Sequence, residues 1–524
     1  MKSSPFPLIP QLTALLLLSG CASSALKDAP SAPDQPWYPG TDKQGMIVPN
    51  GSGKNTHQAL RMPPGYALPT DHSLAQQRHD PVITPDHTYT LAELIDIAQS
   101  TNPDTRIAWD TARDAALSTG LARSAYLPQL TAIAVGGYAS LGSHLRNSSS
   151  YNRNSPHIHG DGNVDALSLQ WLIFDFGKRD AVIDAAQQSA LASNISFTGA
   201  HQKVIYAVTA AYYLYTASQA HIKLIEQARR NSYAIERAAK ANLQHGQGTI
   251  IDVNQAEAAT AQKDLQLVQA RGEVENRYLA LMVAIGISPT TRLSLHMAGD
   301  HPLTTEAVRL SDQMVQNAVA RRPDVLAAYA AARASQSQIK AARAEFLPKI
   351  FATGNLSYTT GSLGISGLSG YGAASSLNVS NNNLGGAILG GITMPIFDGG
   401  VRQALLKQSQ DKAQSAEVQL HHLEDEAVRD IVTSENNLRT SISTYNAALK
   451  LEKAAQTTFN AALSSYQNSE SSITRVLDLQ NNLFTATITR SDSYYSTLIS
   501  AAALAFSTGS LSNSDPAQID PTGL

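Results

Sequence analysis

Cysteine is almost absent: Cys21 is the only one in 524 residues, so no disulfide can form within the chain. Charge of one sign is also lacking. Basic residues number 39 and acidic residues 42, a net −3, which gives no basic field for nucleic acid. Aromatic residues make up only 6%, while alanine, serine and glutamine abound. That balance suits long helices with narrow apolar stripes better than one thick globular core. After the first twenty residues no run approaches the ~18 apolar residues of a transmembrane helix. There is no Walker motif, no Gly-x-Ser-x-Gly and no Cys/His set with zinc spacing, so no enzyme, cofactor or metal site is expected. His157-Ile158-His159 lies in a Ser/Asn-rich stretch and reads as incidental. His421 and His422 are adjacent, so on a helix they face different directions and cannot form an i,i+4 metal pair.

The lone cysteine has an informative setting. It follows Lys2 and the apolar run Leu12 to Leu18, the shape of a secretory signal over residues 1–20. Leu18-Ser19-Gly20-Cys21 resembles the lipobox of bacterial lipoproteins, which implies a covalent lipid on Cys21 and attachment to outer-membrane lipid. An ordinary signal peptide with a chance cysteine is the alternative. Residues 21–87 are rich in proline (Pro30, Pro33, Pro36, Pro39, Pro63, Pro64, Pro69) and read as an extended tether with little regular structure.

Beyond the tether the chain repeats itself. Asn102-Pro103-Asp104 recurs as Arg322-Pro323-Asp324, and Tyr126-Leu127-Pro128-Gln129-Leu130 as Phe346-Leu347-Pro348-Lys349-Ile350, each 220 residues on. Phe174-Asp175-Phe176-Gly177 recurs as Phe397-Asp398-Gly399-Gly400, 223 residues on. A period this long signals duplication of a whole module, well outside solenoid repeats. The first module is placed at 88–300: a helix from Leu91 to Ala125, a β-hairpin about 130–174, a long helix 177–245 and a return helix 250–285. The second is placed at 301–507: a helix from Val308 to Glu345, a hairpin about 350–397, a long helix 401–466 and a return helix 473–506. Residues 508–524 are expected to be a disordered tail. Leu438, Ile442, Tyr445 and Leu449 mark an apolar stripe too narrow for a globular core, which points to coiled-coil packing.

Between Lys349 and Asp398 there is no charged residue. Lipid penalises charge at mid-depth by ~2–4 kcal/mol, so this hairpin reads as membrane strands, with arms at about 350–360 and 384–397. In the first module the arms are Leu130–Leu141 and Val164–Phe174, joined by a loop, Ser143–Gly162. Four strands cannot close a barrel, and open edges are not tolerated in lipid, so other copies of the chain are needed.

The paired modules, Phe397-Asp398-Gly399-Gly400 and Val476-Leu477-Asp478-Leu479-Gln480 resemble the TolC-like outer-membrane efflux family, from about Leu91 to Phe506, and the lipobox resembles its lipoprotein branch. The resemblance implies an α+β membrane protein that forms a homotrimer. Its twelve-stranded β-barrel, four strands per chain, would continue into a periplasmic α-helical coiled-coil barrel. It implies a passive exit duct in the Gram-negative outer membrane, serving a periplasmic adaptor and an inner-membrane transporter of the resistance-nodulation-division type. Type I protein secretion and a non-pore coiled-coil lipoprotein are the alternatives. It also implies a periplasmic gate at Asp478, with Arg475 one turn earlier where some members carry a second aspartate; a solvated helix face is the plainer reading of Asp478. The tip turns Gly246, Gly248, Thr249 and Ser469, Ser471, Ser472 resemble the adaptor-docking region. Thr249 and Asp252 also fit a capping box.

Overall fold

The computed structural model describes residues 39–41, 47–52, 84, 87–142, 157–296, 303, 309–366, 377–468 and 470–511. The signal segment, Cys21, Ser469 and residues 512–524 lie outside these. The chain divides into two units, Met1–Ile83 and Thr84–Leu524. In the first, β1 (Pro39–Thr41) pairs antiparallel with β2 (Ile47–Ser52), so the expected tether contains a short hairpin.

The second unit holds both repeats. After β3 (Thr88–Tyr89), helix α1 (Leu91–Thr101) opens on a capping box. The Thr90 side chain accepts from the Glu93 amide, and Glu93 accepts from the Thr90 amide at 2.7 Å. Leu91, Leu94, Ile95 and Ala98 form its buried face. The sequence suggested one helix through to Ala125. Instead the chain breaks at Asn102, whose ψ of 129° is extended because Pro103 excludes the helical region from its predecessor. Asn102 then caps α2 (Pro103–Ser124) by accepting from the Asp104 amide. The second repeat breaks at the equivalent point. There α5 (Asp312–Val319) is separated from α6 (Pro323–Ala344) by Arg322, ψ 130°.

Each hairpin is longer than expected. Strands β4 (Gln129–Gly142) and β5 (His157–Phe174) form the first, β7 (Lys349–Ser366) and β8 (Leu377–Thr393) the second. β5 starts at His157 rather than Val164, so the last six residues of the supposed loop are strand. β8 stops at Thr393 rather than Phe397, before Pro395, which has no amide to donate. The four strands make one antiparallel sheet in the order β4-β5-β7-β8, its two halves joined by β5 against β7. β6 (Ser294–Leu295) pairs separately with β3.

The long helices are α3 (Lys178–Gln244) and α7 (Val401–Gln467), each 67 residues and thus about 100 Å long. They turn into the return helices α4 (Ile250–Ile285) and α8 (Ile473–Ser507). α3 packs against α2 and α6 at its strand-proximal end and against α4 and α8 towards the turns; α7 packs against α6 and α8. Order persists past the expected end of the repeats, since Thr508 and Leu511 are buried.

Strand passes into long helix through one repeated joint. Gly177 and Gly400 take left-handed φ values of 85° and 92°, which only glycine adopts without steric cost. Asp175 accepts from the backbone amide and Nε of Arg179, at 3.0 and 3.1 Å. The remaining guanidinium nitrogens donate to the carbonyls of Ala125, Leu172 and Ile173 and lie over the Tyr126 ring. One side chain therefore ties the end of α2, the end of β5 and the start of α3. Asp398 and Arg402 repeat the pair, with fewer carbonyl bonds and more solvent.

Arg179→Met leaves Asp175, 3% exposed, without its charge partner, and should cost about 3–5 kcal/mol. Arg402→Met should cost less; denaturant unfolding of both variants in detergent checks the order. Gly286 has φ 88°, and a Cβ there would sit 2.6 Å from the Asn102 Cα. Gly286→Ala should lower stability by on the order of 2 kcal/mol, against about 1 for Gly246→Ala, where φ is also positive but the space is open.

Candidate functional site

The sheet register sorts its side chains into two faces. On one, Leu130 lies opposite Leu169, Leu167 opposite Leu356, and Tyr358 opposite Leu384, with Ile388 and Ile392 continuing along β8. On the other, Gln129 lies opposite Gln170, Gln170 opposite Thr353, Ser168 opposite Asn355, and Thr359 opposite Asn383, with Ile133, Val135, Val164 and Leu389 interspersed among them. From Lys349 to Tyr358 the band spans ten residues, the 9–11 that a tilted membrane strand requires. Within the described sheet it is bounded by charge, Lys349 at the helix end and Asp165 at the far end. Beyond it the apolar face turns polar: Asp161 accepts from Ser362, and Asn163 from Thr360. Trp171, Phe174 and Phe176 collect at the helix end, and the Trp171 indole donates to the Tyr126 carbonyl at 2.9 Å. Amphipathic aromatics suit that boundary between apolar band and water.

At the far end of the helices both turns converge. Ile235, Val253, Phe459, Tyr466, Ile473, Val476 and Leu483 form one buried cluster drawn from α3, α4, α7 and α8. In the first turn Gly246 has φ 71°, and the Gln247 amide reaches back to the Asn242 carbonyl at 2.8 Å. Gly248 lies so close to Asn242 and Leu243 that a Cβ would meet them at 3.2 Å. Both glycines therefore shape the turn itself. Thr249 and Asp252 form a complete capping box, with Thr249 donating to Asp252 Oδ2 from its amide at 2.8 Å and its hydroxyl at 2.9 Å.

The second turn repeats this backbone path, the Glu470 amide bonding to the Ser465 carbonyl at 2.8 Å. Ser472 caps α8, accepting from the Arg475 amide at 3.4 Å. Arg475 occupies the place that Asp252 has in the first turn, so the reciprocal half of the box is lost and the guanidinium is released to solvent. Arg475 and Asp478 are both exposed, and among the described residues neither has a charged partner within the chain. Ser472 is exposed like Thr249, while Ser471 is half-buried like Gly248.

Two tip residues received no individual role from the sequence, although Gln480 closes the motif after the second turn. Gln480 is buried and donates to the Ala228 carbonyl at 2.9 Å and to Ser232 Oγ at 2.6 Å, joining α8 to α3. Lys263 on α4 is buried with its ammonium 3.9 Å from the centre of the Phe484 ring on α8, and burial lowers its pKa. Between α3 and α4, Lys240 bridges Glu236 and Glu257, and its hydrogen bond holds Glu236 below the usual carboxylate range. Among the described residues no cluster of three or more His, Cys, Asp or Glu could hold a metal ion, and no helix is long and apolar enough to cross a membrane.

The repeats align with known proteins. The family model "Outer membrane efflux protein" matches residues 94–287 and again 314–510, one span per repeat. Protein CyaE of Bordetella pertussis is 26% identical over 78% of this chain and 81% of its own length. Outer membrane protein TolC of Escherichia coli is 25% identical over 81% of this chain and 83% of its own. The Campylobacter jejuni CmeC outer membrane channel superposes with a TM-score of 0.63 at 21% identity, covering 80% of this chain and 85% of that one. With both repeats matched, the chain belongs to the outer membrane efflux protein family and is a protein of the Gram-negative outer membrane.

Proposed function

We propose that three copies of this chain form a passive outer-membrane duct. Small molecules, whether drugs, toxic organics or metal ions, pass through it from an inner-membrane pump and periplasmic adaptor to the exterior. One observation carries the reading. α3 and α7 are equivalent helices of equal length, yet α3 buries 18 residues and α7 only nine. Ile205 and Thr209 are buried on α3, while their counterparts Val428 and Val432 on α7 are exposed. α7 thus lacks a neighbour where α3 has one. The sheet tells the same story, since β4 and β8 each leave one edge unpaired and an open edge in lipid is costly.

Four strands per chain fall short of the eight in the smallest single-chain barrels, so copies must share the wall; family membership favours three, hence twelve strands. The apolar face then meets lipid, and the Gln/Ser/Thr/Asn face lines the lumen. The helices continue the tube into the periplasm. At its tip Arg475 and Asp478 would each become a ring of three, forming a gate of mixed sign. The turns at Gly246, Gly248 and Thr249, and at Ser469, Ser471 and Ser472, present the adaptor-docking surface. Lipid on Cys21 supplies a second membrane attachment.

Purified protein in planar bilayers should give discrete conductance steps; a preparation that folds but never conducts would end the duct reading. Arg475→Ala should shift the reversal potential towards cation preference and Asp478→Asn the opposite way, whereas unchanged potentials in both remove these residues from the gate. Cys21→Ser should abolish incorporation of labelled palmitate while leaving the conductance steps intact.

A further inference from the structure

The sheet face that carries Gln129 and Gln170 changes character away from the helices. The register divides it into rows of four residues, one per strand, with successive rows about 7 Å apart along the strands. Nearer the helices a row reads Thr131, Ser168, Asn355 and Ala387. Further out one reads Gly137, Gly162, Gly361 and Asn381, three glycines abreast. Beyond it Leu363 lies opposite Val379, and one row on Leu141 lies opposite Ile158. The reverse face carries Ser140, His159, Asp161, Asn163, Thr360 and Ser362 at these levels, so the two faces exchange polarity there.

Glycine inside a strand weakens it and marks a close approach by another backbone or by a ligand. Gly162 and Gly361 answer to backbone. A Cβ on Gly162 would come 2.8 Å from the Thr360 carbonyl oxygen, and one on Gly361 would come 2.7 Å from that of Asp161. Gly137 has no such neighbour, since nothing lies within 4 Å of its Cβ position. The glycine row is therefore a trough of bare backbone. Its far rim is Leu141, Ile158, Leu363 and Val379, and its near rim on the first hairpin is Val135 and Val164. From Val135 to Leu141 the trough and its rims span about 20 Å. Leu141 and Val379 are 70% and 51% exposed, so the far rim is uncovered within the chain. Among the described residues of this face, Lys349 at the helix end carries the only charge.

On the duct reading this face lines the lumen, and we infer that the trough is a binding site for apolar or aromatic solutes near the exit. Three copies make it a girdle of bare backbone under an apolar collar. One Asn381 amide per copy offers a hydrogen bond, the pattern of an apolar site with few polar groups. Twelve strands about 4.8 Å apart, tilted by about 40°, enclose a bore roughly 24 Å across between backbones. Leucines projecting into that bore stand in the path of a drug-sized molecule. A flat ring can lie against the glycine backbone while the rims remove its edges from water. A hydrated metal ion gains nothing from such a surface and would lose its water there. The trough thus selects apolar organic molecules among the candidate solutes.

Planar-bilayer recording from the purified full-length protein tests this with two cations of equal charge. Tetraphenylphosphonium is apolar and aromatic, and protonated N-methylglucamine is covered in hydroxyls. Tetraphenylphosphonium should block the current at a concentration at least tenfold lower. Gly137→Gln puts a hydrated side chain on the open floor, and Leu363→Ser strips the far rim. Each should raise the blocking concentration about tenfold while the conductance steps persist. Ser140→Gln, on the reverse face, should leave block unchanged. Equal block by the two cations, or block that neither Gly137→Gln nor Leu363→Ser weakens, overturns the site and leaves the duct standing. So does Leu363→Cys in a Cys21→Ser background if no water-soluble thiol reagent reaches it, because another part of the chain then fills the trough. A folded wild type without conductance steps overturns the duct and the site with it.

Discussion

In a hydrocarbon layer an amide or carbonyl without a hydrogen-bond partner has no water to turn to, and each such group costs several kcal/mol. A four-stranded sheet of this chain carries two such rows, along β4 and β8. Much of the architecture answers that constraint. Strands alternate so that one face can meet lipid, the hairpins sit side by side so that only two edges remain, and the helices beyond them are left open on the same two sides. The four-stranded sheet keeps both outer edges free, and the long helix of the second repeat is less covered than that of the first.

The joint between sheet and helix is the second fixed point. Strands rise about 3.3 Å per residue and helices 1.5 Å, so the passage from one to the other has to be held at a set angle. Arg179 does this by donating to carbonyls of two elements while paired with the aspartate that caps the third. Its counterpart Arg402 makes fewer such bonds, donating to the Pro395 carbonyl while its guanidinium lies over the Phe346 ring just past the end of α6.

Much of this was legible in the sequence, for identifiable reasons. The duplication showed in matched motifs, and the start of α4 at Ile250 and its end at Ile285 followed from Thr249, Asp252 and Gly286. The breaks before Pro103 and Pro323 were missed because apolar periodicity on either side outweighed a single proline. β5 was cut short because Asp161 and Asn163 look like loop residues; their bonding partners Ser362 and Thr360 lie some 200 residues away in the chain. Arg179 and Arg402 recur at the 223-residue spacing, but a surface arginine and a three-carbonyl clamp are identical as letters. At the tip, the positions of Arg475 and Asp478 were legible while their freedom from each other was not. The i,i+3 spacing permits a pair, and the turn directs both to solvent.

The alternation in the strands matters before the protein reaches its destination. Most lipid-facing leucines and isoleucines have Gln, Ser, Thr, Asn or Gly on at least one side, so the described strands offer no apolar stretch of the length by which an export channel releases a segment sideways into the first bilayer it crosses. The chain can therefore be threaded wholly through the inner membrane and remain water-compatible in transit. It becomes a membrane protein only when its strands align and every second side chain comes to lie on a common surface.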